Sequence, residues 1–285
     1  MYEYLRSHPD VFLPATKECR FFGSDLAVRD RAERSLEDFL TLFDDAGSSR
    51  RVGSAYVWYL RSTTAASEIR AFAPDAQVVA MLRSPADMIY SLHSENLSNG
   101  NEDLRRFEDA LSAEPERRLG RRIPPHAHLP EALFYSEVAR YAEQVERYFR
   151  MFGRDQVHVI IYDDFARNTE ASYRETLRFL RLSPRHVPRF EVINPNKRVR
   201  SESLRHFLAR PPDLPRRMIR ATVPKVIRRA AYAGVHRLNV VHPQRPALSD
   251  ATRDLVNDLY RRDVERLGQL LGRDLGHWVA PAAGE

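Results

Sequence analysis

Cysteine is all but absent from this chain of 285 residues, where Cys19 stands alone. A lone cysteine excludes an internal disulfide and any cysteine-cluster metal site, and it fits a reducing, cytoplasmic setting. Long hydrophobic runs are missing as well. No apolar stretch approaches the roughly 20 residues that span a bilayer, and the opening MYEYLRSHPDVFLP lacks the basic-then-apolar layout of a signal peptide. Paired-histidine spacing of the metal-binding kind, internal repeats and low-complexity linkers are absent too. What remains is a soluble chain long enough to bury one substantial core, so a single α/β domain over residues 1–285 with a helical tail is the simplest expectation.

The charge balance is basic, with 45 Lys and Arg against 39 Asp and Glu, a formal net charge of +6 and a pI near 9.6. Such a balance suits an anionic ligand, a nucleic acid or a membrane surface, and charge alone does not choose among them. Much of the excess falls between Lys197 and Arg245. Neither a recognition motif nor interleaved aromatics accompany it, so no nucleic-acid partner is expected.

The most informative segment is VVAMLRSPADMIYSLHSE, Val78 to Glu95. Val78 to Leu82 reads as a strand covered on both faces of a parallel sheet. Arg83 sits at its carboxyl end. Ser84 is placed as an N-cap, Pro85 suits the first helical position and Asp87 falls where a capping-box acid sits. Free amides at a helix start favour negative charge, and Ser91 lies two turns on, near the face of Ser84. Arg83 and Ser91 can therefore converge on one phosphate, the first bidentate and the second through its hydroxyl. An arginine after a strand can equally be a surface residue with an ion-pair partner.

Elsewhere strands and helices alternate, as a doubly wound sheet requires. Leu36, Phe39, Leu40 and Phe43 predict an amphipathic helix over Ser35 to Phe43. Val52 to Leu60 reads as a strand, and Ala65 to Phe72 as a helix. Asn99 to Pro130 is a polar, proline-containing insertion of the sort that carries substrate contacts. Tyr141, Val145, Tyr148, Phe149 and Phe152 predict a helix ended by Gly153, ahead of a strand at Val157 to Ile161. YDDF follows, and Tyr173, Leu177 and Leu180 outline the next helix. A closing helix over 249–272 runs from Ser249 through Leu255, Leu259, Leu267 and Leu271 to Gly272. His8, in a helix-end turn, and His158, inside a strand, read as structural.

Several of these segments carry a family resemblance. LRSPADMIYSLH resembles the 3′-phosphate motif of the PAPS-dependent sulfotransferases, especially bacterial carbohydrate and small-molecule types. YAEQVERYFRMFGRDQVHVIIYDDF and RDLGHW are similar to that family's later helix and strand and its closing segment. HPDVFLPATKECRFF resembles the segment bearing an acid before two phenylalanines, and NPNKRVRSESL the late basic loop. The resemblance implies a P-loop-like doubly wound parallel sheet flanked by helices. It also implies transfer of a sulfuryl group from PAPS (3′-phosphoadenosine 5′-phosphosulfate) to a hydroxyl or amine of a carbohydrate or small molecule, with no metal. By the same resemblance Arg83 and Ser91 bind the 3′-phosphate, and Lys197, Arg198 and Arg200 close over it. Glu18 is the general base on the acceptor, because an attacking hydroxyl must lose its proton. Glu18 can equally pair with Lys17 or Arg20 on a solvated loop.

One part of the family pattern has no counterpart. The first strand and its glycine- and lysine-containing loop, which hold the 5′-phosphosulfate, do not occur, and Met1 to Leu5 corresponds to the helix after that loop. The expectation is a sheet with its first strand missing, unpaired backbone beside it and a gap in the core. A further expectation is a native product that starts upstream of Met1. The alternative is a catalytically inactive nucleotide-binding or interaction protein of the same fold.

Overall fold

The computed structural model describes residues 1–15, 17–29, 35–191 and 246–281, and the backbone of 198–199 and 240–241. In chain order, helix α1 (Tyr2–Arg6) leads to strand β1 (Val11–Phe12), α2 (Leu36–Leu40) to β2 (Arg51–Val52), and α3 (Ala65–Phe72) to β3 (Val78–Leu82). The capped helix α4 (Pro85–Asn99) follows, then α5 (Phe107–Ser112), α6 (Glu114–Arg118) and α7 (Tyr135–Val138) across the insertion. Next come α8 (Tyr141–Phe152), β4 (Val157–Ile161), α9 (Tyr162–Arg167) and α10 (Thr169–Phe179). The ribbon β5 (Arg198–Val199) and β6 (Val240–Val241) precedes the closing helix α11 (Asp250–Leu271).

All four strands before the ribbon pair in parallel, but as two separate pairs. β1 lies beside β2, and β3 beside β4 in the register Val78–Val157 through Leu82–Ile161. Helices cover both faces of the β3–β4 pair, as the side-chain alternation of a strand demands. Val78, Val157 and Val159 pack with Ala66 of α3 and with Tyr148 and Phe152 of α8. Val79, one residue on, packs with Tyr4 of α1 and with Tyr173 and Leu177 of α10. The largest apolar cluster joins Leu82 and Ile161 to α4, α8 and α11 at the carboxyl end of the strands.

Between the two pairs lies a cleft of about 740 Å³, with Val52 to Ala55 on one wall and Val78 to Met81 on the other. Its floor is tied together at the amino ends of the strands. Arg51 Nε donates to the Leu180 carbonyl at 2.8 Å and Gln77 Nε2 to the Phe179 carbonyl at 2.7 Å. The cleft leaves one edge of the β3–β4 pair without a strand partner among the described residues. It explains why Val78 to Met81 are only half-buried, where full cover was predicted. It also explains why the strand predicted over Val52 to Leu60 stops at Val52: with no partner on that edge there is no ladder to extend, and Val57 to Tyr59 turn into a 3-10 helix.

Two amphipathic faces also differ from the sequence pattern. Leu36 and Leu40 are exposed, only Phe39 of that short helix being buried. In α11, Leu255 and Leu259 face outward, while the buried stripe is Val256, Tyr260, Val264 and Leu267. Tyr260 selects that stripe, because its hydroxyl accepts from the Ala139 N–H and donates to the Tyr135 carbonyl. His8 and His158 are structural. His8 Nδ1 accepts from the Asp10 N–H at 3.1 Å and Nε2 lies 3.1 Å from the Ser183 carbonyl, while His158 stacks on Phe179.

The insertion is folded rather than loose. Arg117 and Glu102 form an ion pair at 2.8 Å with both side chains fully buried. Arg117 also donates to the carbonyls of Leu133 and Arg122, and the second Glu102 oxygen accepts from Tyr135. Removing one partner strands a charge in the core, so Arg117→Ala is expected to cost roughly 3–5 kcal/mol. Urea unfolding measures this, and a loss under about 1 kcal/mol would show that water reaches Glu102.

Candidate active site

Arg83 emerges at the carboxyl end of β3, and the sequence then turns into a helix as its caps require. The Ser84 hydroxyl accepts from the Asp87 N–H at 3.4 Å, Pro85 occupies the first turn, and Gly100, left-handed at φ 77°, ends α4. The Asp87 carboxylate takes a different part from that of a capping box. One oxygen lies 3.7 Å from Arg83 Nη2 and the other 3.3 Å from Nη2 of Arg253, on α11.

Tyr162 supports Arg83 from the neighbouring strand. The register that pairs Leu82 with Ile161 sets Arg83 beside Tyr162, and the guanidinium lies 5.0 Å from that ring's centre. Tyr141 is buried beneath; burial pushes its hydroxyl pKa up, against the opposing pull of the Arg83 backbone N–H and charge. Asp163, next after Tyr162, accepts from Trp278 Nε1 at 2.5 Å and meets His277 Nε2 at 3.0 Å. Burial alone would raise its pKa. The hydrogen bonds from Trp278 and His277, with the charges of His277 and Arg83, instead hold the carboxyl below its ordinary value. Asp164 pairs with Arg273 at 2.6 Å. The closing RDLGHW segment is thus fastened to YDDF, directly beside Arg83.

The Arg83 side chain keeps 38% of its surface exposed, so its charge is available to a ligand. Ser91 is half-buried on the same helix, and its hydroxyl has no protein partner among the described residues. Arg83 stands at the start of α4, at the carboxyl ends of parallel strands where open α/β sheets bind ligands, and Ser91 lies two turns along the same helix.

Glu18 stands beside Val57, a residue that lines the cleft. Its backbone adopts φ 63°, a left-handed conformation that costs a non-glycine residue about 1 kcal/mol or more. Its carboxylate accepts from the Val57 N–H at 3.2 Å, and Val57 lines the cleft. The following segment is fixed by Tyr59, whose hydroxyl donates to the Cys19 carbonyl and accepts from the amides of Phe21 and Phe22. Phe21 stacks on Phe39 with ring centres 4.5 Å apart, and Phe22 is buried in the same apolar cluster. Glu18 is thus tied to one residue that lines the cleft, and Arg83 follows the strand whose Val78 to Met81 form its other wall.

Lys197 and Arg200 lie outside the described residues. Arg198 is described only as backbone, in β5, paired with Val241 and running alongside α4. Tyr162 and Asp87 as partners of Arg83, and Arg253 as a second partner of Asp87, were not legible in the sequence. The only signal for Tyr162 was its place directly after a strand, level with Arg83 once the register is known.

The sequence model of the sulfotransferase domain matches residues 63–206, just over half of the chain. The chain belongs to the sulfotransferase family. A crystal structure of a sulfotransferase from Alicyclobacillus acidocaldarius is 26% identical, covering 97% of this chain and 92% of that one, with a TM-score of 0.70. A sulfotransferase domain from the curacin biosynthetic pathway is 12% identical over 54% of this chain and 49% of its own, with a TM-score of 0.35. No curated protein sequence matches the chain. Family and fold agree on an α/β sulfotransferase, and they support transferase activity in general. Among the described residues, no helix of this sulfotransferase is long and apolar enough to cross a membrane.

Proposed function

We propose that this protein transfers a sulfuryl group from PAPS to a hydroxyl or amine of a carbohydrate or small-molecule acceptor, in the reducing cytoplasm that a lone buried cysteine fits. The observation that carries the reading is the accessible Arg83 guanidinium, aligned by Asp87 and Tyr162 at the start of α4, with the unpartnered Ser91 hydroxyl two turns away. Together they present charge-assisted and hydroxyl donors to a 3′-phosphate. Lys197, Arg198 and Arg200 complete the cation set in this reading. Glu18 takes the acceptor proton as the acceptor oxygen or nitrogen attacks sulfur. The bond from sulfur to the 5′-phosphate oxygen breaks, and 3′-phosphoadenosine 5′-phosphate departs.

One observation favours a second reading, a nucleotide-binding protein without turnover. The cleft between β2 and β3 has, among the described residues, no lysine or arginine in its lining to hold a 5′-phosphosulfate. Sulfuryl transfer depends on positioned charge, so such a protein would bind the 3′ end and transfer slowly.

Two measurements separate the readings. Calorimetric titration with 3′-phosphoadenosine 5′-phosphate is expected to show binding, and its absence in a folded sample would sink both. Release of that nucleotide from PAPS with hydroxyl and amine acceptors is expected under the first reading alone. Glu18→Gln is expected to lower kcat by about 10²–10⁴ with KM for PAPS little changed. An equal loss in both parameters, with a lower melting temperature, would make Glu18 structural.

A further inference from the structure

A second guanidinium reaches Asp87, the partner of Arg83, from the far end of the chain. Arg253 lies in the first turns of α11, which is set by its own cap: the Ser249 hydroxyl accepts from the Thr252 N–H at 3.3 Å. Thr252 in turn donates to Glu108 at 2.7 Å, fastening this end of α11 to the insertion. Arg253 is therefore held at the start of α4 from two directions.

The charge balance there is uneven. One carboxylate, Asp87, stands between two guanidiniums, giving one oxygen to each at 3.7 and 3.3 Å. A strut joining α11 to α4 needs only one arginine. Counted over these ion pairs, two leave a net positive charge before the free amides of α4 are added, and each guanidinium has five N–H donors against the one carboxylate they share; Asp163, whose carboxyl also feels the Arg83 charge, accepts its hydrogen bonds from His277 and Trp278. Both arginine side chains remain about one-third exposed, at 38% and 33%. Ion pairs of such exposure are weak and easily exchanged. A phosphate carries nearly two charges and three acceptor oxygens, which matches two forks better than Asp87 does.

We propose that Arg253 is a second phosphate-binding residue of this site, and that Asp87 is the positioning carboxylate that keeps both guanidiniums aligned until the ligand's phosphate takes its place. The proposal rests on the 3′-phosphate reading of Arg83 and assigns to the closing helix a part in the site.

The test compares binding of 3′-phosphoadenosine 5′-phosphate with that of adenosine 5′-phosphate, which lacks the 3′-phosphate. Arg253→Ala is expected to weaken the first about 10- to 100-fold, the range of hydrogen bonds to a charged group, and to leave the second within about twofold. Arg253→Lys should recover part of the loss. If the alanine variant unfolds, Arg253→Gln, which still reaches Asp87 without charge, carries the same expectation. Arg83→Ala serves as the reference. Should it keep full preference for the 3′-phosphorylated nucleotide, the underlying reading fails. Should Arg83→Ala lose that preference while the Arg253 variants keep it and only melt earlier, Arg253 is a strut and the present proposal is overturned.

Discussion

Replacing Arg83 by alanine is expected to abolish measurable binding of 3′-phosphoadenosine 5′-phosphate while leaving the fold intact. A guanidinium that grips a phosphate through two charge-assisted hydrogen bonds contributes about 1.5–3 kcal/mol per bond, which is a loss of roughly a hundredfold or more. The structural cost should be small. Arg83 pairs with Asp87 at 3.7 Å with both side chains about one-third exposed, and such pairs contribute about 0–1 kcal/mol. Arg83→Lys should fall between the two, because an ammonium keeps the charge and loses the fork. Titration calorimetry beside a thermal melt reads both quantities. A variant that still binds within threefold of the parent would remove Arg83 from the site. One that loses binding only together with ten or more degrees of melting temperature would recast it as a structural residue.

Filling the cleft between β2 and β3 should have the second large effect. Neighbouring strands lie about 4.8 Å apart, so a single absent strand leaves roughly twice that between its flanks. The cleft is walled by the two strand segments and lined with Phe22, Phe39, Phe43, Phe72 and Tyr148. Those flanks carry backbone groups with no strand partner on that side. A valine- and isoleucine-rich strand of five or six residues, joined to the amino end of α1 through a glycine–serine linker, has a short path there: Met1 packs on the same apolar cluster as Val79, which also lines the cleft. Buried side chains and two new ladders outweigh the ordering entropy by about 1 kcal/mol per residue. The melting temperature should rise by roughly 10 °C at about 2 °C per kcal/mol for a chain of this size. Amides of Val78 to Leu82 should exchange at least tenfold more slowly. A control strand with proline at alternate positions cannot form the ladder and should give neither effect. Equal melting and exchange in the two extensions would show that the cleft does not accept a strand.

The parts of the site that the sequence made legible are those with local causes. Ser84, Pro85 and Asp87 announce a helix start within one turn, and the run VVAML announces the strand before it, so Arg83 is placed by its immediate neighbours. The helix at Ala65 to Phe72 and the strand at Val157 to Ile161 also formed as their patterns predict. Partners of Arg83 were another matter. Asp87 and Arg253 are 166 residues apart, and nothing in either segment marks the other. Outward-facing Leu255 and Leu259 show the same limit: which stripe of an amphipathic helix is buried depends on what it meets, here the Tyr260 hydroxyl against α7.

By itself the sequence announced an alternating α/β chain with a resemblance to the sulfotransferases, and a strand that ends at Arg83 and turns into a capped helix. Each follows from residue order over a few positions, where capping, alternation and composition act. Only the tertiary structure decided that the strands form two pairs around a cleft, that Tyr162 lies against the Arg83 guanidinium, and that Asp87 stands between Arg83 and Arg253. Those arrangements depend on strand register and on the packing of α11 against α4, which arise when distant segments bury apolar surface together and so leave no mark in any one stretch of chain.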